Sequence, residues 1–566
     1  MAKRKRKITT TFIEVPNMGI DRDFVEKARQ VILHYMPNWN YDLKLDPNKH
    51  YFVGLSGGAD SSALGLVMAI MHPEANWVGV ACDTGNEPDD FIRIVELLCT
   101  KLGMKVIIAK PEKDLFQQIK ENGYLPSSLQ RWCTKKLKID TFNDYLADVL
   151  SNPDSIAVNA AGVRYDERDR AGLLGIDRVE SIHPFVDQKI VRQQVMKVAA
   201  EMDVLSATYM RGKSRSGCLN CFFQSKQELI SLGIWDRKHF ELGSSVEKLS
   251  PTINELLDDS EHPLKVDMYY DRFPMPSMLA KGKGTLYSED LFGDKSRTDD
   301  FGVNWDYLTK ALRKPKRICR KKSHEDQLSV FDMLEINTQD AESLNIPTHE
   351  NSVAKLPKFW ERKHYVDDEV NSNNYIDLYV AVEVMVHPLT MWSRMYGGYS
   401  HQIITYSTTQ GGLTRSVRGY MYHRQMVGDA YFYDVEQYDD QSHIICLQLR
   451  FPKELLPKPD YDEDGVYTWS SGVSYKEIDF TLRAIHRLCN HLYNKQLIEW
   501  AESEGQRTRE VSLAKANVAK VESLNLELGE LVSLGHFRTN FNDQDTLRDD
   551  SYDENLKTSR CIVCSL

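Results

Sequence analysis

The feature that most constrains the fold is a glycine- and serine-rich turn between an apolar strand and an apolar helix. The turn reads Ser-Gly-Gly-Ala-Asp-Ser-Ser over residues 56–62, after the apolar run 51–55 and before the apolar run 63–70. A strand that turns directly into a helix leaves the first N–H groups of that helix unpaired, and the positive end of the helix dipole lies at the same point. Such a turn binds anions, phosphate above all. The sequence therefore predicts a phosphate site here, the alternative being an ordinary Gly/Ser turn.

The residue types within the turn fit that prediction. Glycine adopts backbone angles that are closed to other residues, so Gly57 and Gly58 would let the main chain approach phosphate oxygens. A carboxylate is out of place beside an anion, and we expect Asp60 either to cap the helix or to help hold a magnesium ion. Hydroxyl donors would come from Ser56, Ser61 and Ser62.

Hydrophobic patterning predicts an α/β fold around this turn. Apolar strand-like runs at 51–55, 77–82, 105–109 and 156–161 alternate with helical patterns, such as those at 22–36 and 88–102. A doubly wound parallel sheet with helices on both faces requires this alternation. Ligands of such sheets bind beyond the carboxyl ends of the strands, so the residues that follow the strands are expected to converge with the turn.

Four further sequence blocks follow the turn, and the five together resemble a known family. The turn is similar to the PP-loop of the N-type ATP pyrophosphatase superfamily, which reads Ser-Gly-Gly-x-Asp-Ser. The other blocks resemble, in the same order, those of the phosphoadenosine phosphosulfate (PAPS) reductase family; they are Cys82–Pro88, Arg131–Lys138, Gly162–Glu167 and Gly217–Cys221. The resemblance covers residues 48–245 and implies an adenine nucleotide alpha hydrolase-like fold.

The resemblance also implies a bound nucleotide, which would be ATP, PAPS or adenosine phosphosulfate (APS). Asp83 would hold Mg²⁺ or a nucleotide hydroxyl, with a helix cap as the alternative, and Thr84 and Gly162 would lie beside it. Arg164 would pair with phosphate or the transferred group, unless it is an ordinary solvated side chain. Asp60, Lys138 and Arg164 are the predicted catalytic residues. Because the run 166–170 lacks the serine and the arginine spacing of the family, substrate recognition does not carry over.

The cysteines point to a metal site rather than to disulfides. Ten cysteines in 566 residues are too sparse for a disulfide scaffold. Cys218 and Cys221 have the spacing that lets two thiolates face one metal, and Cys133 belongs to an upstream block. The iron–sulfur branch of the resembled family holds a [4Fe–4S] cluster with paired upstream cysteines, whereas here Thr134 follows Cys133. A cluster with an incomplete protein ligand set, a zinc ion or no metal therefore stay open. Core positions are predicted for Cys82, Cys99, Cys446 and Cys489.

Length and patterning divide the chain into four parts. We predict an N-terminal basic tail and helix over 1–47, the PP-loop domain over 48–245, an irregular connector over 246–330 and an α+β C-terminal domain of unassigned role over 331–566. In the last part, 375–386 and 443–451 are predicted strands, and 478–492 is a predicted amphipathic helix. The histidines of this part do not show the spacing of metal ligands. We therefore expect core or surface roles for His387, His401, His423 and His443.

Charge and hydropathy limit the classes of partner that this chain is expected to bind. The net charge of −11 argues against a general nucleic-acid coat, although the basic clusters at 3–7 and 314–322 leave local contacts with nucleic acid open. We expect the first cluster to be a solvated tail. No apolar stretch reaches the roughly 18 residues that a membrane span needs, and the N-terminus lacks the apolar core of a secretory signal. The expectation is a cytoplasmic protein with no membrane partner.

Three functions fit these observations. The first is an adenylating ATP pyrophosphatase that acts on an unknown acceptor and couples to sulfur transfer from a donor protein through the cysteine site. The second is a PAPS or APS reductase, but the family's Glu-Cys-Gly-x-His-like segment is missing, and only Cys561 and Cys564 in the tail could replace its nucleophile. The third is a component of a nucleic-acid modification or defence system. The intact phosphate turn favours the first.

Overall fold

The computed structural model describes most of the first 250 residues and parts of the C-terminal region. The described residues are 10–16, 19–170, 177–213, 217–250, 374–386, 399–409, 411–413, 416–417, 419–420, 442–456, 466–469, 472–503, 505, 507, 509–524 and 528–537. Several predictions lie outside them, namely the tail cysteines, both basic clusters, His387 and His423, and nearly all of the connector. No helix among the described residues is long and apolar enough to cross a membrane.

The first sheet has six strands and confirms the predicted parallel α/β fold. Its spatial order is β1-β4-β3-β2-β5-β6, where β2 to β6 run parallel and β1 pairs antiparallel with β4. The four predicted strands appear as β2 to β5, while β1 and β6 were not predicted. The strands are β1 (Thr11–Glu14), β2 (Lys49–Leu55), β3 (Val78–Cys82), β4 (Lys105–Lys110), β5 (Ile156–Ala160) and β6 (Val179–Ile182).

Helices cover this sheet, and their apolar residues face it. In α3 the residues Ile94, Val95 and Leu98 are fully buried, as the helical periodicity of that segment predicts. The helices of the first 250 residues, of which α8 and α9 pack against the C-terminal region instead, are α1 (Arg22–Tyr35), α2 (Ala59–Met71), α3 (Phe91–Leu102), α4 (Leu115–Asn122), α5 (Asp140–Val149), α6 (Pro184–Asp187), α7 (Arg192–Glu201), α8 (Lys226–Trp235) and α9 (Arg237–Ser244). Shorter turns of helix lie at Pro73–Ala75, Thr134–Ile139, Tyr165–Arg170 and Ala207–Arg211.

Two elements on the N-terminal side of the predicted boundary at residue 48 pack with the first sheet. β1 adds an antiparallel edge strand to the sheet, and α1 buries Ala28, Val31 and Ile32 in the same hydrophobic core as α2 and α7. Four strand residues are too short a pattern to read from sequence, and a helix shows its periodicity but not what it packs against. The first domain therefore includes the N-terminal strand and helix.

A second, antiparallel sheet forms the C-terminal region. Its order is β10-β9-β7-β8, and the predicted strands at 375–386 and 443–451 correspond to β7 and β9. The predicted helix is the middle of a longer one, α10. The elements are β7 (Tyr375–Val386), β8 (Tyr399–Ser407), β9 (Ser442–Pro452), a short helical turn at Lys453–Leu455, α10 (Tyr475–Ser503), α11 (Arg509–Glu522) and β10 (Glu530–Phe537).

The two regions share one hydrophobic core. Leu229 of α8 and Phe240 of α9 are buried in the same cluster as Val380 of β7, Leu447 of β9 and Ile485 of α10. Apolar side chains from both regions are thus removed from water together, and this burial is the main force that stabilises their contact. Because α8 directly follows the Gly-Cys-x-x-Cys block, the C-terminal region packs against the part of the first domain that carries the cysteines.

Candidate functional site

The turn between β2 and α2 presents unpaired backbone donors. Gly58 is the N-cap residue of α2 and supplies no side-chain cap, and the N–H of Ser62 donates to the carbonyl oxygen of Gly58 at 3.0 Å. Among the described residues, no acceptor pairs with the N–H groups of Gly57, Gly58, Asp60 and Ser61. Unpaired donors at the positive end of a 13-residue helix form an anion-binding nest.

The serines of the turn have separate tasks. The Ser61 hydroxyl accepts from the Ser56 N–H at 3.0 Å and lies 2.9 Å from the Ser56 hydroxyl, so this pair fixes the shape of the turn. Ser62 is buried, and its hydroxyl has no partner among the described residues. A buried hydroxyl without a partner is costly, and a phosphate oxygen would satisfy it. The turn therefore fits the phosphates of a nucleotide.

Two glycines are required by close approach. Gly57 has φ +70°, and a Cβ atom there would lie 2.6 Å from Cδ2 of Phe91. Gly162, directly after β5, passes so close to the first turn of α2 that a Cβ atom would lie 3.0 Å from the carbonyl oxygen of Asp60. Glycine is needed at Gly57 for both conformation and space, whereas at Gly162 it brings two segments together.

Asp60 and Arg164 form a buried ion pair, which was not predicted. Nη1 of Arg164 donates to both carboxylate oxygens of Asp60, at 2.7 and 2.6 Å, and the Arg164 side chain is only 5% exposed. Nε donates to Asp166 at 3.2 Å, and Nη2 lies 2.8 Å from Glu167. Burial raises the pKa of the Asp60 carboxyl, while the guanidinium of Arg164 opposes that shift.

This pairing changes the expected roles of both residues. Asp60 does not cap α2, because its two oxygens accept from Arg164 instead of from backbone N–H groups. Arg164 points its donors at three carboxylates rather than at an open anion site. Removing the guanidinium would leave three partly exposed carboxylates without their shared counter-charge, which is destabilising. The pair therefore ties the Gly-Val-Arg block to the first turn of α2 and positions the phosphate turn.

The loop after β3 is organised by a buried carboxylate. Glu87 accepts from the Thr84 hydroxyl at 2.6 Å and from the N–H groups of Thr84 and Asn86 at 2.9 and 3.0 Å. Burial raises the pKa of Glu87, and the nearby ammonium of Lys138 opposes the shift. Thr84 and Lys138 are themselves buried. This arrangement gives both residues a structural role in the loop, and the contact of Thr84 with a nucleotide and the catalytic role of Lys138 stay predictions.

Asp83 stays accessible at the end of β3. One carboxylate oxygen accepts from the Gly85 N–H at 3.0 Å, and the other lies 3.4 Å from Nζ of Lys110. The side chain is 25% exposed. Of the predicted carboxylates, Asp83 is thus the better placed to reach a cation or a ribose hydroxyl, because the oxygens of Asp60 are occupied by Arg164.

The structure brings the three predicted metal cysteines together. Burial, followed by the charges of the neighbouring Cys221 and Cys218, raises the pKa of the Cys133 thiol to about 12. All three are partly buried. Among the described residues, the three sulfurs do not all lie within 4.8 Å of one another. A set of three thiols could serve a zinc ion or an iron–sulfur cluster.

Polar contacts that sequence reasoning missed hold the Cys-x-x-Cys loop. Nζ of Lys213 donates to the carbonyl oxygens of Gly217 and Cys218 at 2.9 and 3.1 Å. The N–H of Leu219 donates to the carbonyl oxygen of Asn86 at 2.7 Å. The loop after β3 thus contacts the cysteine loop directly. Lys213 and Asn86 lie within or beside family blocks, but nothing in their spacing predicts these partners.

Aromatic and basic side chains lie next to the cysteines in sequence and contact one another. The guanidinium carbon of Arg131 lies 4.9 Å from the ring centre of Phe223, which joins the upstream cysteine block to the downstream one. Nζ of Lys136 lies 5.6 Å from the ring of Trp132, and Phe222 packs on Phe223 at 4.3 Å. We call these five residues the aromatic–basic rim.

Fold and site together define an α/β domain of PP-loop type, with three cysteines beside it. The family model described as "phosphoadenosine phosphosulfate reductase domain" matches residues 50–186, which confirms the resemblance for this part of the chain. No curated protein matches the chain. Among solved structures, the chain is similar to the U34-tRNA thiolase NcsA from Methanococcus maripaludis with its [4Fe–4S] cluster, at 17% identity and a TM-score of 0.23. That match covers 33% of this chain and 66% of the thiolase chain.

Proposed function

We propose that the chain is an adenylating enzyme of the ATP pyrophosphatase type, which activates an acceptor with ATP and couples this step to sulfur transfer. The observation that supports ATP most directly is the anion nest at the start of α2. Four unpaired N–H groups and the partnerless hydroxyl of Ser62 face no competing protein acceptor among the described residues. Such donors bind phosphate without having to reorganise, which makes them effective in stabilising charge that develops during a reaction.

The proposed first step is attack of an acceptor oxygen on the α-phosphorus of ATP. A bond forms from that oxygen to the α-phosphorus, the bond from the α-phosphorus to the bridging oxygen breaks, and pyrophosphate leaves with the electron pair. The N–H groups of the turn, with Ser62, would hold the departing phosphates. Asp83 would hold Mg²⁺, which neutralises their charge. Arg164 would act by positioning Asp60 and the turn.

The proposed second step uses the cysteine site. Sulfide from a sulfur donor protein would replace the adenylate, so that a bond from the acceptor to sulfur forms, the bond to oxygen breaks and AMP leaves. Cys133, Cys218 and Cys221 would hold a [4Fe–4S] cluster, which when bound would supply Lewis-acidic iron to a substitution that changes no oxidation state. Three protein thiolates leave one iron without a cysteine from this set. Lys213 would fix the backbone of the cysteine loop through its two carbonyl contacts.

The nucleotide products distinguish this proposal from a reductase. We expect purified protein, handled without oxygen and given ATP labelled at the α-phosphorus, to form AMP and pyrophosphate in an acceptor-dependent reaction, with no ADP. Thin-layer separation of the labelled nucleotides measures this. A reductase would instead release sulfite from PAPS or APS in the presence of a thiol donor such as thioredoxin. Sulfite release, together with no AMP from ATP under any acceptor, would reverse the assignment.

The aromatic–basic rim supports a second proposal, that the acceptor is a single-stranded nucleic acid. No carboxylate among the described residues pairs with Arg131, Lys135 or Lys136. Cations attract phosphates, and aromatic rings stack on bases, so a surface that combines them suits an unpaired strand. The rim also lies beside the cysteines, where an acceptor would have to reach.

We expect a fluorescent single-stranded oligonucleotide to bind with an affinity that falls as salt rises. The variant Arg131→Ala with Lys136→Ala should weaken binding by roughly tenfold, since it removes two phosphate contacts. Fluorescence anisotropy at several salt concentrations measures both effects. The matched control is Arg93→Ala with Lys113→Ala, two exposed cations on other surfaces that should leave binding unchanged. Equal binding by both double variants would contradict a role for the rim.

A further inference from the structure

The middle of the Cys-x-x-Cys loop is held by a buried hydrogen-bond network that reaches the C-terminal region. Asn220, between the two cysteines, accepts from the Tyr475 hydroxyl at 2.6 Å. Its side-chain nitrogen donates to Oδ1 of Asn86 at 3.0 Å and to the carbonyl oxygen of His239 at 3.0 Å. Its backbone is held as well, because its N–H donates to Asn86 Oδ1 at 3.0 Å and its carbonyl oxygen accepts from Asn86 Nδ2 at 2.8 Å.

This network leaves little freedom to the loop. Asn86 and Asn220 are each about 1% exposed or less, and the Tyr475 side chain is fully buried. Gly243 of α9 lies so close to Asn220 and Tyr475 that any side chain there would collide with both. A fully satisfied polar network in a buried position specifies one geometry, since any shift would leave donors or acceptors unpaired. The loop that carries Cys218 and Cys221 is therefore fixed from both sides.

Tyr475 is in turn held by its own region. It is the first residue of α10, and its ring packs on Phe240 with the ring centres 4.8 Å apart. Its N–H donates to Glu247 at 2.7 Å, and the indole N–H of Trp469 donates to the carbonyl oxygen of Gly243 at 3.0 Å. The hydroxyl thus reaches the cysteine loop from a rigidly placed helix start.

We infer that Tyr475 is a positioning residue for the cysteine site, so that the C-terminal region sets the geometry of Cys218 and Cys221. This inference rests on the proposed use of these cysteines as metal ligands, and it assigns a role to a region that the family resemblance does not cover. Tyr475 acts through Asn220, while Asn86 fixes the same residue from the loop after β3.

The test is Tyr475→Phe, which removes the hydroxyl and keeps the ring that packs on Phe240. In protein stripped of metal, we expect Cys218 and Cys221 to react with iodoacetamide about fivefold faster, since a lost buried hydrogen bond eases local opening of the loop by about that factor. Peptide mass spectrometry of a time course gives the rate for each cysteine. In protein isolated without oxygen, the visible and electron paramagnetic resonance spectra should change. Tyr51→Phe, which removes another buried hydroxyl at the start of β2, is the matched control.

A second variant approaches the network from its other end. Asn86→Asp keeps the oxygen that accepts from Asn220 but replaces the amide that donates to the Asn220 carbonyl, so the same acceleration is expected. Unchanged alkylation rates in both variants would overturn the inference. Faster alkylation with no metal in the wild-type protein would support the positioning role while contradicting the proposed metal function. If Tyr51→Phe also alkylated faster, the acceleration would reflect general destabilisation of the protein, and this result would overturn the inference too.

Discussion

Gly57→Val is expected to weaken nucleotide binding about 100-fold. The substitution places a β-branched side chain at φ +70°, and its Cβ would lie 2.6 Å from the ring of Phe91. Either the turn or the Phe91 side chain must move, and the N–H groups of Gly57 and Gly58 would no longer point at a common anion. Loss of two hydrogen bonds to a charged phosphate, at roughly 1.5 kcal/mol each, corresponds to an affinity about 100-fold lower. Isothermal titration calorimetry with ATP measures this.

The control is the same substitution at a glycine with a similar backbone angle. Gly123, after α4, has φ +73°, and a Cβ atom there would have no neighbour within 4 Å, so Gly123→Val carries the conformational strain without the collision. That strain costs on the order of 1–2 kcal/mol of stability, and we expect ATP binding to remain. Circular dichroism would verify that both variants fold. If Gly57→Val bound ATP as tightly as Gly123→Val, the turn would not be the phosphate site.

The parts of this protein that sequence predicts well are those encoded by local pattern. The strand, turn and helix around Gly57 are specified by residues adjacent in sequence, and the periodicity of α3 alone identifies its buried face. β7 begins and ends at the predicted residues, 375 and 386, because the strand-like pattern is long. In each case the physical cause of the structure lies within a window of a few residues.

Side-chain roles at the site depend on partners far away in sequence. Arg164 resembles a phosphate ligand in its block, yet three carboxylates occupy its donors, one of them 104 positions upstream. Lys138 resembles a catalytic cation, yet it is buried near Glu87. A charged residue beside a motif can serve a ligand or another protein charge, and the two cases have the same local sequence. Only the tertiary fold distinguishes them.

At the cysteine site, too, the local sequence predicts the motif but not the distant residues that support it. The spacing of Cys218 and Cys221 and the position of Cys133 predicted that three sulfurs would meet, and the structure places them near one another. The residues that hold this site in place were not predictable, because Asn86 and Asn220 lie 134 positions apart and Tyr475 lies 255 positions beyond Asn220. Buried hydrogen bonds over such separations leave no periodic trace in the sequence.

Removing any one of the three cysteines is expected to abolish most cluster binding. We expect protein purified without oxygen to be brown, and Cys133→Ala, Cys218→Ala and Cys221→Ala each to lose the visible absorption and most of the iron. Each thiolate would bind one iron, and the set already has no fourth cysteine from its blocks, so a two-cysteine site should hold a cluster poorly. Metal analysis by mass spectrometry and absorption spectra measure these losses.

The control is Cys446→Ala, which removes a thiol buried in β9, away from the cysteine site. This variant should keep its iron, although the small cavity lowers its free energy of unfolding by about 1 kcal/mol.

The metal that the protein contains decides between an iron–sulfur cluster, a zinc ion and no metal. Zinc in place of iron would assign a tetrahedral site. Colourless protein with neither metal, from cells supplied with both, would leave Cys133, Cys218 and Cys221 as thiols and remove the sulfur-transfer step from the proposed function, while the phosphate turn and its adenylation chemistry would stand on their own.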